Sequence, residues 1–185
     1  MKFTKLATTL LFTLGSLAWL STSLHAATAY ELDRDARAAL HQLYSKNSKA
    51  REFAEQASAA LVFPGVVKAG FILGGHGGDG ALISNGKTIG YYHTSAVSYG
   101  LQAGVQKYSY VLFFMNHNAL SYLSRSGGWE IGVGPSIVIV DTGTAKTTST
   151  TTAQKDIYAF IFSQKGLMAG LGLQGTKITP YTPSK

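Results

Sequence analysis

The chain contains no cysteine. Disulfides, thiolate metal sites and cysteine nucleophiles are therefore excluded, and the fold must hold by packing alone. Acidic side chains are scarce, 9 against 16 lysines and arginines, for a formal net charge of +7. With only 4 prolines, long stretches stay free to pair as strands. The apolar run at residues 6–20, broken by Thr, Ser and Gly, falls short of the roughly 20 residues needed to span a bilayer. Glycine, in contrast, is abundant at 21.

The short apolar run fits a leader instead. Lys2 and Lys5 precede it, and the small residues Ala26, Ala27 and Ala29 follow it. This order predicts a secretory signal peptide over residues 1–26 and Sec-dependent export to the periplasm, with the mature protein soluble or peripheral to a membrane. Cleavage is expected after Ala26. Ala29 is the second choice, because Ala27 would then supply a small residue at −3. An uncleaved N-terminal anchor is the competing expectation. Residues 27–185 make one domain's worth of chain, enough to bury a self-sufficient core. Removing Lys2 and Lys5 from the 16 basic residues leaves 14 against 9 acidic. A basic exported domain points to anionic phospholipid or polyanionic glycan partners and not to nucleic acid, although charge also serves solubility alone.

Residues 31–59 carry the only well-marked helical pattern. Leu32, Ala36, Ala39, Leu40 and Leu43 recur at helical spacing, and Asp33 and Arg37 are four apart and able to pair. Asn47 or Ser48 is suited to cap a second helix bearing Ala50, Phe53, Ala54 and Ala57. Beyond residue 60, glycine alternates with β-branched and aromatic residues. Strands are predicted at 62–63, 71–73, 81–84, 88–98, 100–116, 129–141, 157–163 and 167–174. Asn85-Gly86 marks a tight hairpin, and residues 118–124 a short helix with Asn116 as its cap. Residues 144–152 read as a Thr/Ser-rich loop, and the tail from Pro180 as loose.

Three of these strands alternate an apolar face with a nearly bare one. Gly100, Gln102, Gly104 and Gln106 oppose Tyr99, Leu101, Ala103 and Val105; Gly132, Gly134 and Ser136 oppose Ile131, Val133 and Ile137. Gly170, Gly172 and Gln174 oppose Leu167, Ala169, Leu171 and Leu173. Repeated glycine inside strands implies a curled sheet with a helix, another sheet or a ligand lying against its bare side. The fold class expected is α+β: a curled, mainly antiparallel, Gly-rich sheet packed by N-terminal helices, with one further short helix.

Enzyme chemistry finds no foothold. Residues 75–80 fit G-x-G-x-x-G, but a strand and not a helix is expected after them. Gly86-Lys87-Thr88 lacks the rest of a phosphate loop. Asp141-Thr142-Gly143 resembles an aspartic-protease triplet, yet that chemistry needs two carboxylates and hence a dimer. The histidines lack metal-ligand spacing, and His76 with Asp79 on a loop would hold a metal only weakly. No catalytic residue, metal or cofactor is expected.

The order of short blocks is more telling. LVFPGVVKAGFILGG (61–75), GDGALI (78–83), NGKTIGYY (85–92), YGLQAGVQ (99–106), GGWEIGVGPS (127–136) and SQKGLMAGLGLQGTKIT (163–179) together resemble the SYLF domain family over about residues 30–179. The chain departs from the family pattern with His76, and with Asn-His-Asn at 116–118, where acidic residues are expected. The resemblance implies a non-enzymatic lipid-binding domain and, in an exported protein, affinity for anionic phospholipid. Residues 36–51 contain no acid but hold Arg37, Lys46, Lys49 and Arg51 beside apolar stripes, a pattern suited to a membrane interface. At about 1 kcal/mol per cation these supply ~4 kcal/mol, a millimolar affinity, so apolar insertion must add the rest. Lys68, Lys107 and Lys165, inside the family-like blocks, are further candidates for headgroup contact. The competing expectation is a protein–protein interaction module of the envelope, or a homo-oligomer, built through sheet edges.

Overall fold

A computed structural model describes residues 27–125, 127–140, 155–166 and 172–184, with backbone alone at 71–72 and 98–103. The expected signal peptide, its cleavage after Ala26, the loop at 144–152, Asp141, and Gly170 with most of its predicted strand lie outside these residues.

The chain enters through helix α1 (Ala29–Lys46). Thr28 closes a capping box: its hydroxyl accepts the Glu31 N–H at 3.2 Å, and the Glu31 carboxylate accepts the Thr28 N–H at 3.0 Å. The buried stripe is Leu32, Ala36, Ala39, Leu40 and Leu43, as the spacing predicts. Asn47 ends α1 in extended conformation and caps α2 (Ser48–Gln56), its side-chain Oδ1 accepting the Ala50 N–H at 3.0 Å. The ion pair that forms on α1 is Arg34–Asp35 at 2.8 Å, not Asp33–Arg37.

Beyond the helices, two very long strands dominate the chain. Strand β1 (Ala59–Ser84) and strand β2 (Lys87–Phe114) pair antiparallel around the Asn85-Gly86 turn, where both residues have positive φ, 49° and 72°. The segments predicted at 62–63, 71–73 and 81–84 are thus parts of one strand. Extended, 26 residues would reach about 85 Å, far beyond a domain of this size. The hairpin therefore folds back on itself. Register shifts fall at Phe63/Val66 and Phe71/Leu73, and a Cβ on Gly70 would lie 2.4 Å from the Gly74 backbone. The two halves of β1 then run side by side, so close that a Cβ on Gly80 would lie 2.6 Å from the Val62 carbonyl and 2.5 Å from the Phe63 ring. In this strand, which is not among the three with a predicted bare face, Gly78 and Gly80 lie against the other half of the strand itself.

Two segments bridge to the rest of the sheet. Asn116 caps α3 (His117–Ser121), which runs into a 3-10 turn (Tyr122–Ser124), as expected. The predicted strand at 129–141 is broken: only β3 (Trp129–Glu130) and β4 (Ile137–Val140) are extended, because Gly132 and Gly134 adopt φ of 107° and 90°. Strand β5 (Ile157–Gly166) pairs antiparallel with the far half of β2 and parallel with β4. Strand β6 (Lys177–Tyr181) pairs with the near half of β2 and with β3. The tail is therefore not loose from Pro180. Tyr181 opposes Tyr91, and Ser184 bridges back to Thr28.

Among the described residues six strands take the order β3-β6-β2-β5-β4 with β1 beside β2. Counting each half of the two bent strands separately gives eight arms of one strongly curled, mostly antiparallel sheet. Its inner face packs Leu61, Phe63, Tyr110, Leu112, Phe114, Trp129 and Ile178. Its outer face is covered by α1 and α2 through Val62, Val111, Phe113, Phe160 and the helix stripe. Phe53 of α2 stacks on Tyr158 of β5 at 4.0 Å. The class is α+β, as expected.

Candidate functional site

The four helix cations do not form one patch. Arg37 and Lys46 are nine positions apart on α1, which at about 100° per residue puts them on opposite flanks. Arg37, with His41 and Tyr44, lines a groove of about 490 Å³ between α1, α2 and the Asn85-Gly86 turn. Arg51 stands close enough for its charge to act on the Tyr44 phenol, whose pKa burial raises and Arg51 partly lowers again. Lys49 is half-buried and Lys46 exposed. The structure brings Arg37 and Arg51 to a common neighbour and sends Lys46 elsewhere.

Helices α1 and α2 leave the folded-back end of the β1–β2 hairpin uncovered, and four exposed apolar side chains lie there, while Tyr30, Ile89, Val133 and Ile139 are exposed elsewhere. Val67 is 44% exposed, Leu73 59%, Val97 67% and Val105 64%. The register explains their proximity. Val105 opposes the exposed Ala69, Val67 opposes Lys107, and Leu73 lies diagonal to Val97 across Gly75, which has no side chain to separate them. Lys107 in turn opposes Lys165 of β5, and both lysines are exposed. The result is an apolar end flanked by two cations. Val105 faces outward and Gln106 inward, so the two keep the opposite faces expected from sequence, with the amide side turned into the curl.

Just behind that end, inside the curl, lies a polar cluster. Lys68 is only 7% exposed and opposes Gln106, itself 3% exposed. A lysine expected to reach a headgroup from an open surface is thus directed inward. Among the described residues the buried Gln106 Oε1 has no hydrogen-bond partner. His76 stacks edge-on to Tyr108 with ring centroids 6.2 Å apart, and its Nε2 lies 3.4 Å from the hydroxyl of buried Thr176. Burial, and next the Lys68 charge, hold the His76 imidazole below its usual pKa. Burial likewise pushes the Tyr108 phenol up to about 12. Deeper in, the Tyr110 hydroxyl bonds the Thr94 hydroxyl at 2.6 Å, and burial raises this phenol further still.

His76 and Asp79 do not cooperate. Both lie in strand and not in a loop, His76 turned to the cluster and Asp79 to His93, whose Nδ1 is 2.7 Å from its carboxylate. Among the described residues no group of three or more His, Asp or Glu could hold a metal. Residues 75–80 continue as β1 with no helix after them, which removes the dinucleotide pattern.

Asp156 has a structural role that its sequence context does not announce. Its carboxylate accepts from Asn116 Nδ2 at 2.9 Å, the Ser136 N–H at 2.8 Å and the Ser136 hydroxyl at 2.7 Å. Those bonds, led by Ser136, hold its pKa below the usual carboxylate range. Asp156 thereby ties together the starts of α3, β4 and β5. A lone Asp before an apolar run carries no local sign of such a role.

Comparison with known proteins matches residues 95–183, a little under half of the chain, to a family model described as Ysc84, Las17-binding protein actin regulator. This segment runs from the middle of β2 to beyond β6. No curated protein matches the chain.

Proposed function

We propose, on the premise that this chain carries a SYLF (Ysc84) domain, that it is an exported, periplasmic protein that binds anionic phospholipid reversibly and catalyses no reaction. The family is one associated with lipid and membrane binding. One observation carries the proposal to this chain: Val67, Leu73, Val97 and Val105 are exposed together at the hairpin end, beside Lys107 and Lys165. An apolar end rimmed by cations suits a bilayer interface, where side chains enter the acyl boundary while ammonium groups meet phosphates. Residues Arg37, Lys46, Lys49 and Arg51 then add to the general positive field, with Arg37 and Arg51 as secondary contacts along the helix groove. No helix among the described residues is long and apolar enough to cross a membrane.

Co-sedimentation with phosphatidylglycerol vesicles tests this. Glu at Lys107 and Lys165 is expected to weaken binding more than Glu at all four helix cations. Equal binding by wild type and the Lys107/Lys165 double variant would remove the hairpin end as the docking surface.

A second proposal has its own observation. Strand β4, Ile137–Val140, borders the sheet, and Ile139 is exposed. A β-branched edge of this kind suits pairing with another chain, including a second copy. Concentration-dependent sedimentation without vesicle binding would favour it.

A further inference from the structure

The hairpin end accounts for the exposed lysines, but not for the one turned inward. Lys68 precedes the Gly70 bend by two residues, about 7 Å of strand. Around it, β1, β2 and the segment before β6 bring His76, Gln106, Tyr108 and Thr176 to the same inner face. We propose that this cluster binds a phosphate group, as a monoester or diester, just inside the mouth of the curled sheet. For a lipid source the proposal rests on docking by the hairpin end; for free phosphate it does not.

The chemistry of the cluster selects an anion with several acceptor oxygens. Lys68 offers up to three N–H donors, and His76 offers two once protonated. The Tyr108 and Thr176 hydroxyls can donate as well. The Gln106 amide is buried with its oxygen unpartnered, so rotation about its last torsion can present the NH₂ instead. The Lys68 charge also disfavours the His76 imidazolium, and an anion between them would offset that effect. The position fits a lipid source. With Leu73, Val97 and Val105 at the acyl boundary, His76 follows one position after the Gly75–Val97 pair and the Lys68–Gln106 pair one position after Ala69–Val105, which places the cluster at headgroup depth.

The measurement is the titration of the His76 ring Cε1–H by NMR, assigned with His76→Gln. Two probes are used, inorganic phosphate and dihexanoylphosphatidylglycerol, each against sodium chloride of equal ionic strength. The groups facing His76 are Lys68 from its own strand, Tyr108 from β2 and Thr176 from the segment before β6. Binding should raise the His76 pKa by about 1 unit, since a facing anion favours the imidazolium. Lys68→Met should weaken the effect about tenfold in probe concentration, and Lys68→Arg should largely keep it. Thr176→Val serves as a second variant should the Lys68 substitution disturb folding.

A response to the lipid probe alone assigns a headgroup site, and a response to inorganic phosphate alone assigns a soluble phosphate. A Leu73→Ser/Val97→Ser protein that binds vesicles as wild type does and keeps the phosphate response overturns docking and leaves the cluster standing. Vesicle binding with His76 indifferent to both probes overturns the cluster and leaves docking standing. A Lys68→Met protein that responds as wild type does also overturns it.

Discussion

Replacing Leu73 and Val97 by serine removes two protruding apolar side chains near the bend. Full burial of a Leu or Val side chain is worth about 1.5–3 kcal/mol. Scaling by exposures of 59% and 67% gives ~1.5 kcal/mol for Leu73 and ~1.2 kcal/mol for Val97 as the gain still open to membrane insertion. Together that is about 2.7 kcal/mol, close to a hundredfold in partitioning. The fold should barely notice, because exposed substitutions away from special features usually stay within about 0.5 kcal/mol. The assay is vesicle co-sedimentation across phosphatidylglycerol concentrations, paired with chemical denaturation of the same variant. The expected result is a midpoint shifted about a hundredfold toward higher lipid, with unchanged unfolding. A shift below threefold with normal stability would refute insertion of this end.

Lys107→Gln with Lys165→Gln should cost about 2 kcal/mol of vesicle binding at low salt and much less at high salt, since exposed charges are screened. A penalty independent of salt would show that the lysines act by shape and not by charge. Asp156→Asn should lower stability at neutral pH by about 1 kcal/mol, a modest figure because water can reach the site. The native carboxyl is held below its unfolded pKa, so its contribution is present above that unfolded value. It is lost as pH falls through the depressed native value, and the two proteins should converge in urea melts near that acid limit. Thr28→Ala should cost about 1 kcal/mol in thermal unfolding by opening the capping box, and an unchanged melting temperature would argue that the α1 start is not coupled to the fold. Gly80→Val should prevent folding or lower the melting temperature strongly, because the added carbons meet the Val62 carbonyl and Phe63 ring.

The N-terminal helices, the Asn47 and Asn116 caps and the Asn85-Gly86 turn were all legible locally, because each depends on residues within a few positions of one another. The curl was legible in outline from the glycine density, but its cause was not. A single strand that returns on itself brings residues 62–66 beside residues 78–80, and no sequence period marks that contact. The alternation assigned to residues 100–106 holds where the side chains are described, at Val105 and Gln106, but that the amide side turns into the curl while Val105 is left exposed follows from how the bent hairpin packs and not from the pattern.

Charge, glycine content and the absence of cysteine, with the order of the family-like blocks, pointed by themselves to a basic α+β fold held by packing and to a resemblance to the SYLF family, whose model matches residues 95–183. Which lysines can meet a partner was decided only in three dimensions. Lys68, Lys107 and Lys165 look alike in sequence, yet two face outward beside an apolar end and one turns inward beside His76. The physical reason is that a strand's side depends on the parity of its position after every bulge. Bulges are set by how distant segments must pack and not by the residues that flank them.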